Sequence, residues 1–207
     1  MKVISVVPLA IEAVKVIRFA RFCDNRGYFT ETYRKSDSPS CLPGIVFSQI
    51  NESFSKSGTV RGMHFQWNPY MGKLVRTIRG HMVDLVLDIR KTSPTFGKII
   101  AYDMPADNNA PHSEWIWVPP GFAHGNFFTE ETTLEYLCSG EYSQGCEAGI
   151  SPLAQDIAWD LCDTGLKRLF DSVASANPLM TDKDRNAPTV KEWAADPRSE
   201  NFVYGKI

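Results

Sequence analysis

The sequence contains no apolar run near the roughly 20 residues that a membrane-spanning helix needs. It also has no excess of positive charge, since 22 Lys and Arg side chains stand against 24 Asp and Glu, a formal net charge of −2. A protein that holds nucleic acid through its phosphates normally carries a basic surplus. These two absences argue against a membrane protein and against a nucleic-acid-binding protein.

Cysteine is scarce and forms no recognisable pairs. The five cysteines are odd in number, and none belongs to a Cys-x-x-Cys motif. A secreted disulfide framework or a structural zinc site would need paired spacing, so we expect free thiols and a cytoplasmic location. The remaining composition, 43% hydrophobic and 22% charged over 207 residues, is that of an ordinary globular protein. One domain over residues 1–207 is therefore expected.

Short β-rich runs separated by turn residues dominate the chain. The predicted strands cover residues 3–9, 14–19, 28–33, 46–54, 59–65, 73–79, 82–89, 98–102, 114–118 and 132–138. Closely spaced strands with Gly, Pro and Asn turns are typical of a sandwich or barrel. We predict a mainly β, jelly-roll-like core over about residues 1–160.

Helix signals are confined to the last third of the sequence. Residues 163–174 place Leu166, Leu169 and Phe170 at helical spacing, and Thr189 can cap a short helix over 189–195. These segments predict a partly helical C-terminal extension over about residues 161–207, packed on the same domain.

The period-2 pattern of a strand indicates which side chains share a face. Three polar side chains, Gln49, Asn51 and Ser53, fall on one face of their strand. They indicate either a solvent-facing surface or the polar interior of a barrel that receives a ligand. Strict alternation would separate Arg61 from His64, but a bulge at Gly62 would bring them together.

An ordered set of motifs resembles one family, the dTDP-4-dehydrorhamnose 3,5-epimerases, a metal-free branch of the cupins. The matching stretches are DNRGYFTE at 24–31, SQIN at 48–51, VRGMH at 60–64, GKLVR at 72–76, RGHMVDLVLDIR at 79–90, SPTFG at 93–97, VPPGFAHG at 118–125, EYLC at 135–138, EY at 141–142 and TDKDRNAP at 181–188. Their order matches across nearly the whole domain. The resemblance implies a cupin-type jelly roll.

The resemblance also implies a reaction. The family inverts carbons 3 and 5 of a 4-keto-6-deoxy sugar carried on a nucleoside diphosphate, so we expect conversion of dTDP-4-dehydro-6-deoxy-D-glucose to dTDP-4-dehydro-L-rhamnose. Both carbons adjoin the ketone, so loss of their protons gives an enolate. The chemistry needs a base, an acid on the opposite face and a cation at the enolate oxygen, but no metal or cofactor.

Four residues match the family's reacting positions. By similarity, His64 is the base and Asp184 is the carboxylate that orients it. Tyr136 matches the acid that delivers a proton to the other face, and Lys73 matches the residue near the ketone.

A further set of residues matches positions that bind the substrate. We expect Arg26 and Arg61 to hold the diphosphate. The other expected binding residues are Phe29 and Tyr142, which would sandwich the base, and Glu31, Gln49, Asn51, His124, Glu147 and Lys183. In the family, residues matching 26–31 serve the site of a partner subunit, so a homodimer is implied.

Three stretches depart from the family pattern. Residues 66–71 differ from its usual loop, residues 110–113 look like a small insertion, and Asn126 stands where the family usually has Phe. These differences leave open a related enzyme that acts at one carbon only or on another nucleotide-linked 4-keto sugar.

Two other classes of protein are possible for such a fold, a metal-dependent cupin and a non-catalytic binding module. A metal-dependent cupin would need clustered ligands such as His-x-His, but Phe65 and Gln66 follow His64. A non-catalytic binding module would be expected to have lost His64, Asp184 or Tyr136, and all three are present.

Overall fold

The computed structural model describes residues 2–37 and 41–207. The strands, in chain order, are β1 (Val3–Pro8), β2 (Lys15–Ala20), β3 (Phe22–Asp24), β4 (Gly27–Phe29), β5 (Gln49–Ser55), β6 (Val60–Gln66), β7 (Lys73–Arg79), β8 (His81–Asp88), β9 (Ile99–Pro105), β10 (His112–Val118), β11 (Phe122–Phe128), β12 (Thr132–Cys138) and β13 (Glu147–Gly149). The helices are α1 (Thr164–Ser175), α2 (Asp182–Arg185), α3 (Val190–Ala195) and a 3-10 helix (Pro197–Asn201). None of these helices is long and apolar enough to cross a bilayer.

Two antiparallel sheets form a sandwich, which confirms the predicted mainly β fold. One sheet has the strand order β1-β2-β10-β7-β12-β5, and the other has the order β13-β6-β11-β8-β9. Strands β3 and β4 form a separate hairpin outside both sheets. The interior between the sheets is filled by side chains such as Val75, Val86, Ile116, Phe122 and Leu134.

The C-terminal elements cover the outer face of the five-stranded sheet. Phe65 of β6 packs edge-on against Trp193 with ring centroids 4.6 Å apart, and Phe127 of β11 meets Phe170 of α1 at 5.5 Å. Phe202 joins the same buried cluster. Apolar residues on both faces of this sheet are therefore removed from water, and the extension is fixed to the strands that carry the site.

Two helices agree with the sequence and one was not predicted. Asp163 caps α1 by accepting hydrogen bonds from the backbone N–H groups of Gly165 and Leu166. Thr189 caps α3 in a capping box with Glu192. The four-residue helix α2, capped by Thr181, gave no periodic signal because it is too short to show one.

The strand predictions need correction: one predicted strand extends too far, and β3, β11 and β13 were not predicted. The predicted strand over residues 28–33 is wrong beyond Phe29, because Thr30 turns away and donates its hydroxyl to the carbonyl of Ala20. Strand β11 was missed because His124, Gly125 and Asn126 interrupt its apolar run, and glycine and asparagine are weak strand formers. It is a central strand with β6 on one side and β8 on the other.

A bulge in β6 brings Arg61 and His64 to the same side of the sheet. His64 lies opposite His124 and Arg61 lies opposite Asn126, so three steps along β6 match two along β11. The extra residue reverses the alternation, and both side chains line one cavity. The bulge anticipated from the sequence is confirmed.

Glycine at position 62 permits this bulge. Gly62 has a φ of +109°, and a Cβ atom there would lie 2.5 Å from the Cα of Gly125. The backbones of β6 and β11 therefore approach more closely than any side chain at position 62 would allow.

Gly62→Ala should destabilise the protein by about 3 kcal/mol, because it adds a backbone clash to an unfavourable φ. Gly145→Ala is the matched control, since Gly145 also has a positive φ (+84°) but nothing within 4 Å of its added Cβ. The control should cost about 1 kcal/mol. Urea unfolding measures both, and equal losses would contradict the close approach of the two strands.

Candidate active site

A cavity of about 530 Å³ opens between the two sheets. Strands β5, β6, β7, β11 and β12 and the segment through α2 contribute to its wall. A smaller cavity of about 260 Å³ adjoins it. His64, Lys73 and Tyr136 line both cavities, so the two are parts of one site.

His64 and Asp184 form a hydrogen-bonded pair in this wall. The Nε2 atom of His64 lies 2.7 Å from Oδ1 of Asp184, and the backbone N–H of Gly62 donates to Oδ2 at 3.2 Å. The Asp184 side chain is only 6% exposed, whereas that of His64 is 38% exposed. A buried carboxylate thus orients an imidazole whose ring reaches the cavity.

The charge state of Asp184 follows from its partners. Burial alone would raise its pKa, but hydrogen bonds from His64 and the Gly62 N–H hold the pKa of Asp184 below its usual value. The carboxyl group is therefore ionised at neutral pH. Because Nε2 is engaged, Nδ1 is the ring nitrogen left to exchange a proton with a ligand.

Tyr136 is carried by β12, opposite Asn51 of β5 and Val75 of β7. Burial and the neighbouring Cys138 raise the pKa of the phenol, and a hydrogen bond with Asn51 only partly opposes this. Tyr136 therefore keeps its proton at neutral pH and is equipped to act as an acid.

Lys73 places a buried amino group in the site. Burial lowers the pKa of Lys73, and attraction to Cys138, Asp84 and Glu147 offsets this only in part. Its side chain makes no hydrogen bond or ion pair with any residue in 2–37 or 41–207. The amine is therefore free to donate a hydrogen bond to an oxygen in the cavity, and negative charge developing on that oxygen would favour the protonated form.

A second His–Asp pair was not recognised from the sequence. Nε2 of His124 lies 2.7 Å from Oδ1 of Asp84, and both side chains are buried. The other oxygen of Asp84 is fully enclosed and has no hydrogen-bond partner. The sequence does contain an indication of this pair, because Asp84 stands among the apolar residues of β8. A carboxylate buried in such a strand requires a hydrogen-bonding or charged partner.

The polar face of β5 points into the barrel and not to solvent. The N–H of Tyr142 donates to Oε1 of Gln49, and Nε2 of Gln49 donates to Oδ1 of Asn51, both at 2.9 Å. Nδ2 of Asn51 in turn donates to the sulfur of Cys138 at 3.6 Å. The chain of hydrogen bonds holds both amides against the smaller cavity.

An ion pair lies at the mouth of the site. Nζ of Lys183 is 2.9 Å from Oε1 of Glu147, and the hydroxyl of Tyr142 donates to the same oxygen at 3.2 Å. Burial would raise the pKa of Glu147, but these contacts lower it below its ordinary value. Arg61, another predicted binding residue, donates to the hydroxyl of Ser55 at 2.8 Å at the edge of the larger cavity.

Three predicted binding residues do not reach either cavity of their own chain. Arg26 and Phe29 lie on the β3–β4 hairpin, where the Arg26 side chain is 85% exposed and Phe29 is 69% exposed. Arg26 pairs with Asp24 at 2.8 Å, and Glu31 pairs with Arg34 at 2.6 Å. Within one chain, Phe29 and Tyr142 do not sandwich a base.

No metal site was found in the part of the chain that the structure describes. There, no group of three or more His, Cys, Asp or Glu side chains is arranged to share an ion.

A paired imidazole and carboxylate beside a phenol and a lysine define a site for proton transfer next to a carbonyl, and the fold around it is the cupin sandwich. A family model for dTDP-4-dehydrorhamnose 3,5-epimerase matches residues 8–192. The chain belongs to this family of carbohydrate epimerases, which are isomerases.

Individual relatives agree with this assignment. A dTDP-4-dehydrorhamnose 3,5-epimerase from Sinorhizobium fredii is 41% identical over 203 residues, covering 96% of this chain and 93% of the relative. The structure of a 3,5-epimerase from Legionella pneumophila in complex with dTDP-4-keto-L-rhamnose superposes with a TM-score of 0.80 at 26% identity, covering 98% and 99% of the two chains. The predicted cupin-type jelly roll is thereby confirmed.

A relative of narrower activity has a comparable structure. ChmJ, a 3′-monoepimerase from Streptomyces bikiniensis in complex with dTDP-quinovose, superposes with a TM-score of 0.75 at 28% identity, covering 91% and 89% of the two chains. The fold therefore supports epimerases that act at one carbon as well as at two.

The lowered pKa of Asp184 predicts how stability depends on pH. The stabilisation is present above the unfolded pKa of about 4 and is lost as the pH falls through the lower folded value. Asp184→Asn should therefore lower the free energy of unfolding by about 1–3 kcal/mol at about pH 5 and by less at about pH 3. Urea unfolding at the two pH values tests this, and an equal loss at both would contradict the ionised pair.

Proposed function

We propose that this protein epimerises dTDP-4-dehydro-6-deoxy-D-glucose at carbons 3 and 5 to give dTDP-4-dehydro-L-rhamnose. The observation that carries the proposal is the lining of one cavity by the His64–Asp184 pair, Tyr136 and Lys73 in a member of this family. A 4-keto sugar placed among them has a base, an acid and a cation within one enclosure.

His64 begins the reaction as the base. Its free ring nitrogen takes the proton from carbon 3, the carbon–hydrogen bond breaks, and the electron pair moves into the C4 carbonyl to give an enolate. The ionised Asp184 stabilises the imidazolium that forms. Lys73 stabilises the enolate oxygen by donating a hydrogen bond from its buried amine, which has no hydrogen-bond partner in the described chain.

Tyr136 completes the inversion from the opposite face. Its hydroxyl gives a proton to carbon 3, the enolate electrons form the new carbon–hydrogen bond, and the carbonyl is restored. The resulting phenolate regains a proton from solvent as His64 releases the one it took. The same steps at carbon 5 give the second inversion.

The remaining predicted residues hold the nucleotide in this proposal. Gln49, Asn51, Tyr142 and Glu147 line the smaller cavity and suit the neutral and polar parts of the nucleotide. Arg61, with Lys183 near the mouth, supplies positive charge for the diphosphate. His124 lies deeper, beside the sugar position.

We also propose that the protein is a homodimer in which each hairpin serves the other subunit's site. The support is that Arg26 and Phe29 are exposed and line neither of the two cavities of the site in their own chain. An arginine and an aromatic ring there would complete the diphosphate and base contacts of a partner.

A second candidate is epimerisation at a single carbon. It is favoured by the likeness to ChmJ, a 3′-monoepimerase. The same base and acid would operate, and the difference would lie in how the sugar is presented after the first proton transfer.

We place the reaction in the cytoplasm. The support is chemical, because Cys23, Cys138, Cys146 and Cys162 are free thiols, which persist in a reducing compartment.

Deuterium exchange tests the mechanism. In heavy water, the protein should place deuterium at carbons 3 and 5 of dTDP-4-dehydro-6-deoxy-D-glucose, observed separately by proton NMR. His64→Ala should slow exchange at both positions by at least about 100-fold, because the base is lost. Exchange at one carbon only would favour the single-carbon enzyme, and its absence at both in the unaltered protein would overturn the proposal.

Tyr136→Phe separates the acid from the base. We expect it to retain exchange, because His64 can return a deuteron to the face it attacked, while inversion falls by about 100-fold or more. Product analysis by NMR distinguishes retention from inversion. Normal inversion by this variant would remove Tyr136 from its role.

Mixed dimers test the exchange of hairpins. An Arg26→Ala, Phe29→Ala chain paired with a His64→Ala chain should regain activity, because one site then holds a complete cavity and an intact hairpin from its partner. The matched control pairs His64→Ala with Lys73→Met and should stay inactive, since both changes damage the cavity. Co-expression with two affinity tags yields the mixed species, and inactivity of the first pair would mean that the hairpin does not act across subunits.

A further inference from the structure

Asn126 is a buried polar residue that faces the larger cavity. It lies on β11 two residues after His124 and is only 5% exposed. Alternation along the strand puts it on the same side as His124 and opposite Phe127, which packs under α1. Its strand neighbours are Arg61 on one side and Asp84 on the other.

The amide of Asn126 has no hydrogen-bond partner within residues 2–37 and 41–207. An amide has two N–H donors and one acceptor oxygen, and leaving such groups unpaired inside a protein costs about 1–3 kcal/mol. The fully enclosed unpartnered side-chain atoms in the described chain belong to Asp84 and Trp193 and not to Asn126. The Asn126 amide therefore remains open to the contents of the cavity.

The surroundings of Asn126 suit a neutral polar ligand. Ser53 and Thr59 line the same cavity, and neither hydroxyl has a protein partner in the described chain. Leu134 adds an apolar wall, while Arg61 directs its guanidinium to Ser55 and to the carbonyl of Phe54. An uncharged amide there matches a hydroxyl, which both donates and accepts, better than it matches a phosphate.

We propose that Asn126 is a specificity-determining residue that hydrogen-bonds a ring hydroxyl of the hexose. The inference rests on the proposed function, because the sugar must occupy the cavity that Asn126 shares with His64, Lys73 and Tyr136. The proposed substrate limits the choice of group. A 4-keto-6-deoxy hexose joined through carbon 1 has free hydroxyls only at carbons 2 and 3.

The melting temperature distinguishes a structural role for Asn126 from a role in binding a ligand. If the amide held the fold together, replacing it with the similarly sized Leu would lower the melting temperature. An amide kept for a ligand has no protein partner to lose, so Asn126→Leu should leave the melting temperature unchanged or raise it.

Deoxy analogues of the substrate provide the test. Deuterium incorporation at carbon 5 is measured for the parent sugar nucleotide and for its 2-deoxy and 3-deoxy forms, with the unaltered protein and with Asn126→Leu. For the parent, Asn126→Leu should lower kcat/KM by about 3- to 10-fold, the value of one hydrogen bond. For the analogue that lacks the hydroxyl read by Asn126 the substitution should have no effect, and for the other analogue the loss should persist.

Thr133→Val is the matched control. It exchanges a polar side chain for an apolar one of the same shape on β12, but the residue precedes cavity-lining Leu134 and faces the other side of the sheet. It should leave kcat/KM unchanged for all three substrates.

Three results would overturn the proposal. They are an equal effect of Asn126→Leu on all three substrates, no effect on any of them, and a clear fall in melting temperature. Failure of the unaltered protein to exchange the parent sugar would instead overturn the proposed function itself, and with it the substrate on which this inference depends.

Discussion

The hydrogen bond between His64 and Asp184 is the contact on which the site depends, because it joins two parts of the chain that are far apart in the sequence. His64 belongs to the five-stranded sheet, while Asp184 belongs to a four-residue helix far along the sequence. So short a helix has little stability of its own. Its position comes from the Thr181 cap and from the Gly62 N–H that holds the carboxylate. The aromatic packing of α1 and α3 on the sheet keeps the whole extension in place.

Backbone geometry is the second constraint on the site. In a regular strand Arg61 and His64 would face opposite sides. The proposed base, His64, and the proposed diphosphate ligand, Arg61, could then not share a cavity. The bulge at Gly62 removes that conflict, and Gly125 on the adjacent strand leaves the room it needs. His64, Lys73 and Tyr136 all lie on strands and not on loops, which limits their freedom of movement.

A sequence pattern predicts a strand most clearly where one face of the strand is buried and the other is exposed to solvent. β5, which alternates in this way, was predicted over residues 46–54 for that reason. β7 and β12 were predicted at their observed bounds. β11 was not predicted, because His124, Gly125 and Asn126 interrupt its apolar run. The resemblance to the family named His64, Asp184, Tyr136 and Lys73, and the structure brings all four to one cavity, where Asp184 is hydrogen-bonded to His64. The Asp84–His124 pair was missed because pairing across strands β8 and β11 depends on a strand that had not been predicted. Arg26 and Phe29 line neither of the two cavities of their own chain. Their proposed role is in the site of a partner subunit.

The late position of Asp184 in the sequence has a consequence for biosynthesis. All thirteen described strands precede it, so the ribosome releases the two sheets before the carboxylate emerges. A nascent chain can therefore assemble its hydrophobic interior while the imidazole still lacks its orienting partner. The hydrogen-bonded pair of His64 and Asp184 is thus completed only after the chain that forms both sheets has been synthesised.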